Sequence, residues 1–171
     1  MNNNVRKMTA AGLCLALALM LPFLTGQIPQ IGGMLCPMHL PVLLCGFLCG
    51  APWGAAVGAV APLLRNLLFG MPPLYPTGLS MAVELAAYGL ICGLLYPKMK
   101  KMGLKGIYIT LISAMILGRI IWAGARMLML AGGVEFTFSI FLMDGFVNAI
   151  PGIIVQLIVI PVLVHALEKR K

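Results

Sequence analysis

The sequence predicts an all-α integral membrane protein, folded as a single six-helix bundle with both termini in the cytoplasm. Three observations predict it. Of its 171 residues, 61% are hydrophobic and only 9% are charged, so lipid must solvate apolar surface that the chain cannot hide within itself. The apolar residues run in long unbroken stretches. A transmembrane barrel would instead alternate apolar and polar residues, which leaves the helix as the arrangement that satisfies its own backbone in hydrocarbon. Third, most Lys and Arg residues fall outside those stretches, in three clusters.

Hydropathy and breakers place the helices at about 8–25, 39–51, 54–70, 77–97, 106–131 and 139–167. At roughly 20 residues per crossing, six crossings use about 120 residues and leave about 50 for loops, so the whole chain, 1–171, forms one membrane domain. The first segment follows Arg6 and Lys7 and resembles a secretory signal, but no small-x-small cleavage site follows at Thr25 to Gln30, and a retained helix is expected. The run Gln27-Ile28-Pro29-Gln30-Ile31-Gly32-Gly33 ends it. The second segment is short for a crossing and is bounded by Pro41 and Pro52. It must thin the membrane, tilt little or be covered by neighbours; a re-entrant hairpin with the third segment is the alternative. Gly70-Met71-Pro72-Pro73 separates the third and fourth segments, a basic run after Pro97 the fourth and fifth, and Gly132-Gly133 the last two.

The basic clusters fix an orientation. Arg6 and Lys7, then Lys98, Lys100, Lys101 and Lys105, then Lys169, Arg170 and Lys171 make nine of the twelve Lys and Arg residues. With an even number of crossings all three clusters lie on one side, which the positive-inside rule makes cytoplasmic. The opposite loops, 26–38, 71–76 and 132–138, hold no Lys or Arg. The net charge of +8 therefore reflects membrane topology, and nucleic acid is not a partner.

Arg65, Arg119 and Arg126 fall inside apolar segments with Glu84 and Asp144. Charges there are costly unless paired or hydrated, so each is a candidate site residue; structural ion pairing is the competing reading. At ~1.5 Å per residue, Arg65, Arg126 and Asp144 fall roughly 7 to 8 Å below the outer surface, Glu84 about 10 Å, Asn148 about 13 Å and Arg119 about 18 Å. Polar groups gathered in one layer on four helices predict a pocket open to the outside. Within the pairs Arg119/Arg126, Asp144/Asn148 and Glu84/Tyr88 the spacing puts both side chains on one helix face. Tyr75, in the stiff loop Gly70–Pro76, stands as a lid or rim. His39 sits at the outer mouth as a further ligand contact.

The cysteines Cys14, Cys36, Cys45, Cys49 and Cys92 lie mostly in apolar runs and read as small hydrophobes, and no metal site follows from them. No zincin, phosphate-loop or serine-hydrolase motif is present, so no catalytic residue, metal or cofactor is assigned. A small intramembrane enzyme using Glu84 and Asp144 is the alternative from another class, although nearby arginines would hold both acids ionised. Rows of small residues, Gly12/Ala16 and Ala10/Cys14/Ala18 in the first segment, Gly46/Gly50 in the second and Gly54/Gly58/Ala61 in the third, permit close helix approach. Internal packing is expected for at least two of these three helices.

The runs Pro37-Met38-His39-Leu40-Pro41-Val42-Leu43-Leu44-Cys45-Gly46 and Pro72-Pro73-Leu74-Tyr75-Pro76, followed by Glu84-Leu85-Ala86-Ala87-Tyr88-Gly89, resemble the S components of energy-coupling factor (ECF) transporters. The resemblance covers nearly the whole chain in length and segment number, and its sharp motifs lie within 37–97. It implies a plasma-membrane protein that binds a vitamin near its outer face and docks on a transmembrane coupling subunit driven by two cytoplasmic ATPase subunits. In that family an Ala-x-x-x-Ala pattern on the first helix docks on the coupling subunit; Gly12 and Ala16, or Ala10, Cys14 and Ala18, are the nearest match and depart from two plain alanines. The loop at 26–38 would cover the ligand. Three intramembrane arginines against two acids leave a surplus positive charge, which favours a small anionic vitamin such as pantothenate over pyridoxine or thiamine; cobalamin, folate and riboflavin stay open.

Overall fold

A computed structural model describes residues 3–25, 34–130, 143 and 147–169. Among the described residues there is no strand, and six α-helices are present: α1 (Asn3–Met20), α2 (His39–Cys49), α3 (Ala51–Phe69), α4 (Leu79–Met99), α5 (Leu104–Leu130) and α6 (Ile150–Glu168). A tighter 3₁₀ turn, Leu21–Thr25, prolongs α1, and a wide turn, Leu74–Gly78, leads into α4. Four stretches are long and apolar enough to cross a membrane: Asn4–Leu24, Leu74–Met102, Leu104–Leu130 and Ile150–Glu168. The chain is therefore a multi-pass helical membrane protein. Leu13, Leu67, Ile120, Met127, Leu128, Ile158 and Val162 stand exposed on the bundle surface, the inside-out pattern expected where hydrocarbon is the solvent.

Backbone chemistry explains most boundaries. Gly50, at φ +93°, ends α2 and opens α3, whose second residue is Pro52; a proline in the first turn lacks only an N–H that has no intrahelical partner anyway. Gly70, in the left-handed conformation at φ +70°, closes α3 by donating to the Asn66 carbonyl at 2.8 Å. At its eleven residues, α2 is only about 16 Å long. Its residues His39, Pro41, Val42, Leu43, Cys45, Gly46, Phe47 and Cys49 are buried, so this short helix is sheathed by its neighbours.

The described part of the sixth helix, α6, runs from Ile150 with Pro151 in its first turn, where proline is tolerated; the expected start at residue 139 lies outside the described residues. Asn148 lies in the preceding turn, its N–H donating to the Met143 carbonyl at 2.8 Å. Its expected neighbour Asp144 lies outside the described residues.

Helix directions follow from side-chain contacts. Near the start of α1, Met8, Ala11, Gly12 and Leu15 face Trp53, Ala56, Val57 and Val60 of α3 across an apolar groove of about 260 Å³. At the far end of both helices, Arg65 of α3 donates to the Leu19 carbonyl at 2.6 Å. Thus α1 and α3 run parallel. Glycines bring α3 and α4 together antiparallel: a Cβ at Gly58 would lie 2.2 Å from the Leu85 oxygen, one at Gly89 2.2 Å from Gly54, and one at Gly93 2.0 Å from the Ala51 nitrogen. Gly46 of α2 rests on the Gly89 oxygen in the same way, at 2.7 Å. Gly46 of the second-segment row and Gly54 and Gly58 of the third are therefore internal packing, whereas a Cβ at Gly50 would meet nothing within 4 Å. One end of the bundle gathers the start of α1, the α2–α3 turn, the end of α4 and the end of α6, where Lys100 and Glu168 pair at 2.8 Å.

Candidate functional site

At the opposite end, one turn or two inside the start of α4, the chain buries a polar cluster. Glu84 is 2% exposed. Its Oε1 lies 2.9 Å from Arg119 Nη1 and accepts a 2.9 Å hydrogen bond from the Tyr88 hydroxyl. His39, the first residue of α2, brings Nε2 to 3.6 Å from the same oxygen and tilts its ring against Tyr88 at 5.4 Å between centroids. Arg119 also donates through Nη2 to Cys36 Sγ at 3.8 Å. Three helices thus meet at one carboxylate, and the segment before α2 joins them through Arg119.

Local sequence makes this possible. Glu84 and Tyr88, four apart on α4, share a face. Gly118 supplies the room for the tyrosine, since a Cβ there would lie 2.1 Å from ring atoms of Tyr88. Glu84 and Arg119 meet although counting from the helix ends put them roughly 8 Å apart in depth; a tilted helix and the length of the arginine side chain close that gap. Cys36 adopts φ +47°, unusual for a side chain with a Cβ, as the backbone turns to start α2.

Above the cluster, Trp122 stands between two arginines. Its ring lies 5.3 Å from the Arg126 guanidinium carbon and 6.0 Å from that of Arg119, a separation at which the ring face attracts a cation. Trp122 is itself buried. The half-buried Arg126 has no carboxylate partner among the described residues, and its Nε makes no hydrogen bond.

Other expected site residues go elsewhere. Arg65 is buried, but beside α1, where it bonds the Leu19 carbonyl and packs at 5.1 Å from the Phe23 ring and 5.4 Å from the Phe69 ring. It braces the C-terminal end of α1 and does not join Glu84. Tyr75 is exposed, and its hydroxyl donates to the Met129 carbonyl; with Asn66 donating to the Pro72 carbonyl at 2.7 Å, this ties the Pro-rich loop to both α3 and α5. Asn148 is exposed in its turn. Asp144 and residues 26–33 of the expected covering loop lie outside the described residues. Sequence reasoning left Gly118, Cys36 and Trp122 unassigned; only the adjacency of Gly118 to Arg119 and the placing of Trp122 between Arg119 and Arg126 signalled them.

The first-helix row divides in two. Cys14 and Ala18 are buried and Ala10 is half-buried, whereas Gly12 and Ala16 are exposed, with nothing within 4 Å of a Cβ built at Gly12. All five cysteines are buried and none forms a disulfide, and among the described residues no three metal-ligating side chains converge.

A helical bundle with an apolar exterior and one buried polar cluster roofed by an arginine and a tryptophan defines a membrane-embedded small-molecule binding protein. Residues 6–164 match the family model described as ECF transporter, substrate-specific component, and the chain belongs to that family. It is accordingly a substrate-binding transport subunit and not an enzyme. Neither curated proteins nor solved structures give a match.

Proposed function

We propose that the chain captures a small anionic vitamin, pantothenate being the best fit, at the outer face of the plasma membrane for ATP-driven uptake. The observation that carries the reading is the charge balance of the buried cluster. Glu84 is consumed by Arg119 and Tyr88, while Arg126 stands one level further out over Trp122 with no carboxylate among the described residues. A low-dielectric site does not leave such a cation uncompensated, and a ligand carboxylate supplies the charge. The same pairing removes support for an intramembrane enzyme, because Glu84 is already engaged and shielded.

In this reading all six helices cross the membrane and both termini and residues 98–105 face the cytoplasm. The support is that Lys98, Lys100, Lys101 and Lys105 gather at the same end as Glu168 and the start of α1. Exposed Gly12 and Ala16 favour that row over Cys14 and Ala18 as the face that docks on a transmembrane coupling subunit, itself driven by two cytoplasmic ATPases. The test is a binding assay on purified protein with a panel of radiolabelled vitamins. Arg126→Ala is expected to weaken binding by about 2 to 5 kcal/mol. A tight complex with a neutral or cationic vitamin, insensitive to loss of Arg119 and Arg126, would remove the anionic reading and leave the family assignment standing.

A further inference from the structure

The core-facing stripe of α6 is Gly152, Gln156, Ile160 and Val164, four apart and all buried. Three of these are unremarkable in a bundle interior. Gln156 is not: it is 1% exposed, and its side-chain oxygen has no hydrogen-bond donor among the described residues. Buried polar atoms in native proteins are almost always paired, and a glutamine kept unpaired inside a membrane bundle marks a function before it marks packing.

Its position can be read from its neighbours. Gly152 seats the start of α6 on the chain entering α2, a Cβ there lying 2.7 Å from the Met34 oxygen and 2.8 Å from Leu35. From that contact α2 and α6 both run inward. Gln156, one turn below Gly152, and His39, four residues past Leu35, therefore stand at the same level. His39 is 3% exposed; its Nε2 meets the Glu84 carboxylate at 3.6 Å, and its Nδ1 makes no hydrogen bond among the described residues. The unpaired Gln156 oxygen thus faces the bundle interior at the depth of Glu84, level with a histidine that holds Glu84 through one ring nitrogen and has the other free of a hydrogen bond.

We propose that Gln156, beside His39, is a specificity-determining contact that receives a hydroxyl hydrogen-bond donor of the bound substrate. This rests on the substrate-capture reading above and extends it. Arg126 is seven residues outward of Arg119 on α5, roughly 10 Å along the axis. The substrate class is then a carboxylate at one end and a hydroxyl-bearing group about 10 Å away. A site built to bond a donor rejects the analogue that lacks it far more strongly than an apolar pocket rejects a missing methylene.

The test uses the full chain with Gln156→Met, which keeps length and loses the acceptor, and has two readouts. In the ligand-free protein Gln156→Met is expected to raise the melting temperature, since an unsatisfied polar atom is removed; a lowered melting temperature would mean a structural partner and overturn the proposal. In calorimetry the wild type is expected to bind pantothenate at least 10-fold more tightly than its dideoxy analogue, which keeps the carboxylate and lacks both hydroxyls. Gln156→Met should lose that preference by weakening pantothenate alone. Equal weakening of both, or of neither, overturns the proposal. If the wild type takes a different vitamin of the panel, the pantothenate reading falls while the Gln156 contact is judged on that vitamin, and an unchanged affinity in Gln156→Met overturns it.

Discussion

Replacing Glu84 by glutamine tests the central cluster most directly. At 2.9 Å from Arg119 Nη1, and with an effective dielectric of about 20, the two charges attract by roughly 6 kcal/mol. Withdrawing both from water costs several kcal/mol per ion, so the intact pair contributes little net stability over an uncharged one. The single substitution is different. Glu84→Gln would keep a hydrogen-bonding oxygen for Tyr88 but leave the buried guanidinium of Arg119 without its counter-charge, and removing one partner of such a pair costs about 3 to 5 kcal/mol. Arg119→Gln should cost a similar amount for the mirrored reason. The double substitution replaces two ions by two amides that can bond each other, and should fall well short of the sum, with a coupling energy of about 2 to 3 kcal/mol. Reversible unfolding of the detergent-solubilised protein, followed by tryptophan fluorescence, measures all four corners of the cycle. Effects that add within about 0.5 kcal/mol would refute the claim that Glu84 and Arg119 act as a buried pair.

Three further outcomes are expected. Gly12→Leu or Ala16→Leu should abolish uptake while leaving ligand binding by the isolated subunit nearly intact, because both positions are exposed; Ala18→Leu, at a fully buried position, should instead destabilise the fold by about 1 to 3 kcal/mol, and equal loss of binding and uptake in the first two would assign that row to internal packing. Single cysteines placed at Lys105 and Lys169 in a cysteine-free background should both be labelled from the cytoplasmic side only, and opposite labelling would refute the topology. Gly89→Ala, whose Cβ would meet the Gly54 backbone at 2.2 Å, should cost about 1 to 3 kcal/mol or more in unfolding experiments, whereas Gly124→Ala, with nothing within 4 Å, should stabilise α5 by roughly 0.5 to 1 kcal/mol.

Helix identity was legible because hydrophobic runs and breakers are local signals. Gly50 and Pro52 mark the α2–α3 turn in the sequence as clearly as in the structure. The cluster was partly legible. Glu84, Tyr88 and Arg119 are conspicuous as polar residues in apolar runs, but which arginine reaches the acid depends on tilt and side-chain reach, and spacing alone gave Arg65 the same standing as Arg119. The packing of Tyr88 against Gly118 is a contact between helices 30 residues apart in the chain, and no periodicity within either helix reports it.

The glycine seams have a mechanical consequence. Where α2, α3 and α4 touch, backbone lies directly on backbone at Gly46, Gly54, Gly58, Gly89 and Gly93. Sliding one helix along another by a single position would drive a side chain into a carbonyl, so these seams have one seating and no neighbouring one. Such contacts do not creep. The three central helices must therefore turn or shift in the bilayer as one rigid block, carrying Glu84 and His39 with a fixed spacing, and any adjustment to an arriving substrate or a docking neighbour falls to the helices seated on side chains around that block.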